Sequence, residues 1–128
     1  MTDDQLYEQA LAATAIAYPP HSGLHVGAVL ECADGTLIRG GNIEFGSYGL
    51  TICAERAALA TAIGQGHRTF TRIAVARADG QPISPCGMCR QSLVDFGPLD
   101  VVYRSPGGLV TVPITDLLPD AFLFGEDA

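Results

Sequence analysis

Apolar residues near the N terminus repeat every three or four positions, which is the spacing of a helix that packs one face on a core. The segment begins after Thr2, a residue type that caps helices, and ends before Pro19-Pro20. Its apolar face consists of four residues: Leu6, Ala10, Ala13 and Ala17. The pattern therefore predicts an amphipathic N-terminal helix.

A second helix is predicted over residues 51–66, TICAERAALATAIGQG. Thr51 is suited to cap its N terminus, and Gly64 or Gly66 is suited to end it. Four candidate site residues fall within a predicted first turn, Cys53 and Glu55 in this segment and Cys86 and Cys89 in the next helical segment. Their positions therefore depend on where each helix begins.

A third helix is predicted over residues 84–98, SPCGMCRQSLVDFGP. Ser84 is placed to cap it, and Pro85 suits its first helical position because a proline there loses no hydrogen bond. The Gly97-Pro98 pair ends it. Both cysteines of this segment then lie at the start of a helix.

The remaining apolar runs are shorter and predict strands. Residues 25–42, HVGAVLECADGTLIRGGN, form a β-hairpin around an Asp-Gly turn. Residues 71–80 form a strand and turn, 100–104 and 109–114 form two strands around a Gly-rich turn, and 115–122 form a short final helix. The order α-β-β-α-β-α-β-β-α predicts an α/β protein, a three-layer α/β/α sandwich forming one domain over residues 1–128.

Composition and charge narrow the classes of function. Apolar residues make up 48% of the 128, no apolar run is long enough to span a membrane, and the acidic N terminus is unlike a signal peptide. We therefore expect a soluble, cytoplasmic protein. The net charge is −7, and the seven basic residues are scattered arginines, so we expect no nucleic-acid polymer and no membrane as partner. A small substrate remains open.

Four cysteines in a chain expected to be cytoplasmic favour metal binding or catalysis over disulfides. Cys86 and Cys89 stand two residues apart, and Cys53 opens the preceding helix. If the two helix N termini are adjacent, three thiolates converge, which leaves the fourth position of a catalytic zinc open to water. Cys32 sits beside the hairpin turn, roughly 17–20 Å from the other end of the hairpin. Cys32 is therefore not expected to join the site.

Glu55 lies two residues after Cys53 and is the candidate general base. A ligand-x-Glu sequence followed by Pro-Cys-x-x-Cys is the signature of zinc deaminases, which have a three-cysteine variant. A structural metal site or a redox pair is the alternative for Cys86 and Cys89, but a disulfide oxidoreductase would not need Cys53 and Glu55 beside them. The histidines have no ligand spacing and are expected to be ordinary.

With these residues in place, the chain resembles the small homotetrameric cytidine deaminases. The resemblance runs from about Tyr18 to Phe122 and rests on five segments: VGA at 26–28, NIE at 42–44, YGLTICAER at 48–56, SPCGMCRQ at 84–91 and LLPDAF at 117–122. It implies an α/β/α sandwich with a mixed five-stranded sheet. It also implies one Zn²⁺ per subunit, a homotetramer with shared active sites, and hydrolytic deamination of free cytidine and 2′-deoxycytidine in pyrimidine salvage.

The resemblance assigns a role to individual residues at the metal. Cys53, Cys86 and Cys89 would hold the zinc, and Glu55 would shuttle protons from water to ring N3 and then to the leaving amine. Arg56 would hydrogen-bond the thiolates and offset their excess negative charge.

The resemblance also implies a set of substrate-binding residues. Asn42 and Glu44 would bind the ribose 3′-hydroxyl, while the Ala54 backbone and the Ser84 carbonyl would read the polar edge of the pyrimidine. Three further residues complete the set, namely Leu24 in the pocket, and Tyr48 and Phe122, which would reach across subunit interfaces.

The chain departs from the family pattern around the pocket. Leu24 replaces a substrate-packing Phe, His25 replaces Pro, Phe45-Gly46 replaces Asn-Ala, and Gly41 stands where Cys is common. These changes leave the preferred nucleoside open, with blasticidin S or a modified cytosine nucleoside as alternatives. A zinc-stabilised binding module without catalysis is the alternative from another class of protein.

Overall fold

The N-terminal helix begins where the sequence predicts. The structure is a computed structural model, which describes residues 1–125. Helix α1 spans Asp3–Ala13, and Thr2 and Gln5 form a reciprocal capping box at its start. The helix ends earlier than predicted, because a short 3₁₀ turn follows over Thr14–Ile16 and leaves Ala17 extended. Just beyond it, Tyr18 N donates to Asn42 O at 2.7 Å, which ties the chain to the end of the hairpin.

The sheet is mixed and has five strands, as predicted. The strands are β1 (Val26–Cys32), β2 (Leu37–Gly41), β3 (Phe70–Arg77), β4 (Asp100–Ser105) and β5 (Gly108–Pro113). Their spatial order is β2-β1-β3-β4-β5. Neighbours are antiparallel except β3 and β4, which run parallel. The parallel pair needs a crossover, and the segment that carries Cys86 and Cys89 supplies it.

Helices cover both faces of the sheet, which confirms the predicted three-layer sandwich. On one face, α1 packs against β1, β3 and β4 through a cluster that includes Val29, Ala74 and Val102. Helices α2 (Ala54–Gly64) and α3 (Gly87–Val94) cover the other face. The buried residues of that second layer include Leu30 and Ile73. Alternate residues of each central strand therefore face different layers.

Two glycines let the helices approach the sheet backbone closely. A Cβ on Gly27 would lie 2.3 Å from Ala10 O of α1, and a Cβ on Gly40 would lie 2.4 Å from Ala54 O of α2. Such separations are shorter than any real contact, so only glycine fits at either position. The contact at Gly40 fixes the N terminus of α2, where Cys53 lies, against the edge strand.

Both cysteine-bearing helices begin two residues later than predicted. Cys53, not Thr51, caps α2, because Ile52 pairs with Ile43 through two 2.9 Å backbone hydrogen bonds and stays extended. Cys86, not Ser84, caps α3. The predicted caps were thus wrong, and the cysteines themselves occupy the helix starts.

The final helix is shorter than predicted. Helix α4 spans only Ile114–Leu117, and Leu118 leaves helical geometry with a φ of −143°. The next residue is Pro119, whose ring disfavours a helical conformation in the residue before it. Residues beyond Leu118 therefore run as irregular chain as far as the structure describes them.

The helices of the described chain are short. Within residues 1–125, no helix combines the length and the apolar character needed to cross a bilayer. The longest described helices have 11 residues.

Candidate metal centre and active site

Three cysteine thiols converge where two helices begin. Cys53 caps α2, Cys86 caps α3, and Cys89 lies in the first turn of α3. The Sγ atoms of Cys53 and Cys86 are 3.6 Å apart, and all three Sγ atoms lie within 4.8 Å of one another. The free N–H groups and positive dipole ends of both helices point towards this cluster and favour thiolates.

The cluster fits a tetrahedral zinc ion. Two sulfurs bound at about 2.3 Å in tetrahedral geometry lie about 3.8 Å apart, close to the 3.6 Å between Cys53 and Cys86. Three thiolates would carry excess negative charge, and Arg56 Nη2 donates to Cys53 Sγ at 3.7 Å and to Thr51 O at 3.4 Å. Arg56 therefore lies where it partly offsets that charge. Cys32, at the far end of β1, is not part of the cluster, as predicted.

The pKa values of two of the thiols shift in opposite directions. The hydrogen bond from Cys89, followed by that from Arg56, lowers the pKa of the Cys53 thiol to about 5. The same bond to Cys53, together with burial, raises the pKa of Cys89. Cys53 therefore carries negative charge more readily than Cys89.

Glu55 lies beside the thiols in the first turn of α2 and is only 4% exposed. Burial, followed by the negative charge of Cys53, raises the pKa of its carboxyl to about 7. A carboxyl group enclosed in this way faces the cavity next to the cluster rather than bulk solvent.

A cavity of about 200 Å³ opens onto the cluster. Most of its lining residues lie in or beside the segments that the sequence analysis singled out. They are Leu24, Val26, Asn42, Cys53, Ala54, Glu55, Ser84 and Cys86. Thr51, Ile52 and Ile83 complete the wall. The sequence analysis gave none of these three a role in the pocket, because a wall residue of this kind has no distinguishing spacing.

Asn42 is buried and holds the cavity wall in place. Its Nδ2 donates to Leu24 O at 2.9 Å, and its Oδ1 accepts from Val26 N at 2.9 Å. The side chain thereby fixes the segment that precedes β1. One amide hydrogen and one lone pair of Asn42 remain for a further partner.

Glu44 and Tyr48 line a neighbouring depression of about 480 Å³, which shares Thr51 with the cavity. Glu44 Oε1 accepts from His21 N at 3.0 Å and from Ser22 N at 2.9 Å. Hydrogen bonds from Ser22 lower the pKa of Glu44, so the carboxylate is held in its charged form.

Two aromatic residues that the resemblance assigns to the substrate lie on the surface of this chain. Tyr48 is 79% exposed, and its ring meets that of His21 edge-on. Phe122 is 70% exposed and does not line the cavity; its carbonyl accepts from Gln91 Nε2 at 2.8 Å. Exposed rings of this size are typical of interface residues.

Arg90 is an organising residue that the sequence analysis missed. Its guanidinium donates to Pro85 O at 2.8 Å, to Leu117 O at 3.0 Å and to Ser84 Oγ at 3.1 Å. It therefore joins the segment before Cys86 to the end of α4. An arginine directly after a Cys-x-x-Cys motif was the available signal, but its distant partner at Leu117 was not visible in the spacing.

Comparison with known proteins agrees with this geometry. Residues 1–105 match the family model of the cytidine and deoxycytidylate deaminase zinc-binding region. A cytidine deaminase from Halalkalibacterium halodurans is 43% identical over 125 residues, covering 95% of each chain.

Solved structures and a more distant relative extend the comparison. The crystal structure of cytidine deaminase from Burkholderia pseudomallei superposes with a TM-score of 0.87 at 46% identity, covering 95% of this chain and all of the other. A blasticidin-S deaminase from Bacillus cereus is 31% identical over 126 residues, covering 91% of this chain and 89% of that protein.

Proposed function

This chain belongs to the cytidine deaminase family, and on that premise we propose that it hydrolyses free cytidine and 2′-deoxycytidine to the uridine nucleosides and ammonia. The observation that carries the proposal is the buried Glu55 carboxyl, which lines a nucleobase-sized cavity beside three converging thiols. Zinc deaminases combine a metal-activated water with a glutamate that acts as acid and base, and these residues could supply both.

We propose that Cys53, Cys86 and Cys89 hold one zinc ion per subunit. The 3.6 Å separation of two sulfurs, the two helix N termini and the Arg56 contact support this assignment. When bound, zinc would make a water molecule acidic enough to act as a nucleophile near neutral pH.

In the proposed reaction Glu55 moves every proton. It takes one from the attacking water and delivers it to N3 of the pyrimidine, which makes C4 more electrophilic. After the water oxygen has bonded to C4, Glu55 passes the second proton to the amine, which leaves as ammonia while C4 keeps the oxygen. The enclosed position of Glu55 keeps bulk water from competing for these protons.

The remaining residues would bind and orient the nucleoside. We propose that the Ala54 backbone and the Ser84 carbonyl bind the polar edge of the base, and that Leu24 packs against the ring. Asn42 has unused hydrogen-bonding capacity, and Glu44 holds an acceptor carboxylate nearby, so these two suit the ribose 3′-hydroxyl. The net charge of −7 disfavours a polynucleotide substrate.

We further propose a homotetramer in which Tyr48 and Phe122 enter the site of a neighbouring subunit. Their high exposure in the single chain supports this, because each ring is a large apolar surface that a neighbour would cover. If so, specific activity should fall together with the loss of the tetramer on dilution. Sedimentation and activity followed over the same dilution series test this, and a fully active monomer would refute it.

The compartment and domain organisation are proposals as well. Cys32, Cys53, Cys86 and Cys89 are all free thiols, which suits a reducing cytoplasm. We propose that the chain acts there as one domain over residues 1–128 and serves nucleoside salvage.

The substrate is tested by ultraviolet absorbance with cytidine, 2′-deoxycytidine, cytosine, CMP and blasticidin S at equal enzyme concentration. We expect turnover of the two nucleosides and little of CMP, because no basic cluster lines the cavity among the described residues. Turnover of blasticidin S alone would support the same chemistry but a different substrate for the pocket. The 31% identical blasticidin-S deaminase and the replacement at Leu24 are the reasons to test this compound. No turnover of any compound by zinc-loaded protein would refute the proposal.

A further inference from the structure

Three side chains of metal-ligand type meet at the opposite end of β1 from the cavity. They are Cys32 at the end of β1, Asp34 in the hairpin turn and His67 between α2 and β3. One ligand atom from each lies within 4.8 Å of the others, and Asp34 Oδ2 is 3.9 Å from His67 Nδ1. We propose that they form a second cation site, for a borderline divalent ion such as Zn²⁺, which is independent of the proposed deamination.

The backbone around these residues is tied together before any ion binds. Cys32 N donates to Thr36 O and Ala33 N donates to Thr69 O, each at 2.9 Å, while His67 N donates to Ala62 O at 3.0 Å. The hairpin turn, the end of α2 and the start of β3 are thereby held in one arrangement. Little chain ordering would be needed to bring the ligands together.

The Asp34 carboxylate has one oxygen free for the site. Its Oδ1 accepts from Thr36 N at 3.0 Å within the turn, which directs Oδ2 towards His67. The turn hydrogen bond and the proposed ligand function therefore use different oxygens of the same side chain. Replacing Asp34 with asparagine would keep the hydrogen bond of the turn and remove the negative charge that faces His67.

The donor set selects the class of ion. A thiolate, an imidazole and a carboxylate suit Zn²⁺ and neighbouring transition metals, whereas Mg²⁺ and Ca²⁺ require mainly oxygen ligands. In a tetrahedral zinc site such ligand atoms lie about 3.4–3.6 Å apart, so the observed separations need only small side-chain movements.

Burial leaves the site accessible from one side. Cys32 is 2% exposed, whereas Asp34 has 62% of its side chain exposed. An ion would therefore enter past Asp34 and bind a water molecule as its fourth ligand. The simpler interpretation is a contact of Asp34 with His67 next to a buried thiol, but 3.9 Å between Oδ2 and Nδ1 is too long for a hydrogen bond.

The proposal is tested by zinc stoichiometry of the full chain after equilibration with excess zinc and removal of unbound ions. We expect two ions per chain in the wild type and one in Asp34→Asn. Asp79→Asn is the matched control, because Asp79 Oδ1 likewise accepts a turn hydrogen bond, from Gln81 N at 3.1 Å. The control should keep two ions. One ion in the wild type, or two in Asp34→Asn, would overturn the proposal.

Cobalt substitution gives a second readout that does not depend on activity. Thiolate-to-cobalt charge transfer should increase with the first equivalent of Co²⁺ at the three-cysteine cluster and again with the second at Cys32. We expect Cys32→Ala and Asp34→Asn to lose only the second increase. If Cys32→Ala does not fold, the exposed Asp34 variant still decides the matter. A second increase that persists in Asp34→Asn would place the ion elsewhere and refute the site.

Discussion

A Glu55→Gln variant is expected to lose about a thousand-fold or more in kcat for cytidine while keeping its metal ion. Glutamine has nearly the shape of glutamate, so the buried position and the helix start remain filled. It cannot accept a proton from water and return it to N3 and the amine. General acid–base catalysis contributes about 10²–10⁴-fold in rate, and Glu55 is proposed to serve as both base and acid.

The measurement is steady-state deamination alongside metal content for wild type, Glu55→Gln and Glu8→Gln. Glu8 is an exposed residue of α1, remote from the cluster in the fold, so its variant should retain full activity. A Glu55→Gln enzyme that keeps more than about a tenth of the wild-type kcat would show that another group moves the protons.

Cys86→Ala is expected to lose the metal ion and, with it, both activity and stability. Removing an outer-shell partner of a ligand typically weakens metal affinity about 10–100-fold, and removal of a ligand itself should exceed that. Cys86 is exposed, so the truncation leaves no internal cavity. Any fall in melting temperature would then report the lost ion, because metal binding adds to the free energy of unfolding.

Met88→Ala is the matched control for this experiment. Met88 is an exposed residue in the same turn of α3 but has no ligand atom suited to zinc. Metal analysis and thermal unfolding of the two variants separate loss of the ion from general damage to the helix. Cys86→Ala protein with full zinc occupancy would contradict the ligand assignment.

Each half of the cysteine cluster could be recognised from the sequence because its spacing is local, whereas the meeting of the two halves, 33 residues apart, was an expectation that depended on helix packing. Cys86 and Cys89 share one helical turn, and Glu55 follows Cys53 at the start of another. These short separations become fixed directions once a helix forms. The mixed sheet, the three layers and the predicted family are likewise confirmed by the strand order and by the relatives.

Features that depend on contacts between distant parts of the chain could not be predicted from the sequence. Thr51 is a suitable cap by residue type, but the pairing of Ile52 with Ile43 keeps the chain extended for two further residues. Arg90 reaches Leu117 across 27 positions, and no local pattern encodes that contact. Tertiary context overrides local propensity in the first case and adds an unforeseen contact in the second.

The residues proposed to bind substrate were predicted only in part. Asn42 was expected to meet substrate, and the structure adds that both ends of its amide already bind the backbone around Leu24. The roles of Glu44, Tyr48 and Phe122 stay predictions, since they concern ligand and neighbouring subunits rather than the folded chain itself.

The distance along the chain between the converging thiols has a topological consequence. Cys53 and Cys86 are 33 residues apart, and the intervening chain contains α2 and β3. An ion that bridged them would act as a reversible cross-link around that loop. If the denatured chain retained the ion, loop closure would raise the free energy of the denatured ensemble by about 4 kcal/mol. The metal-free chain would not be restricted in this way.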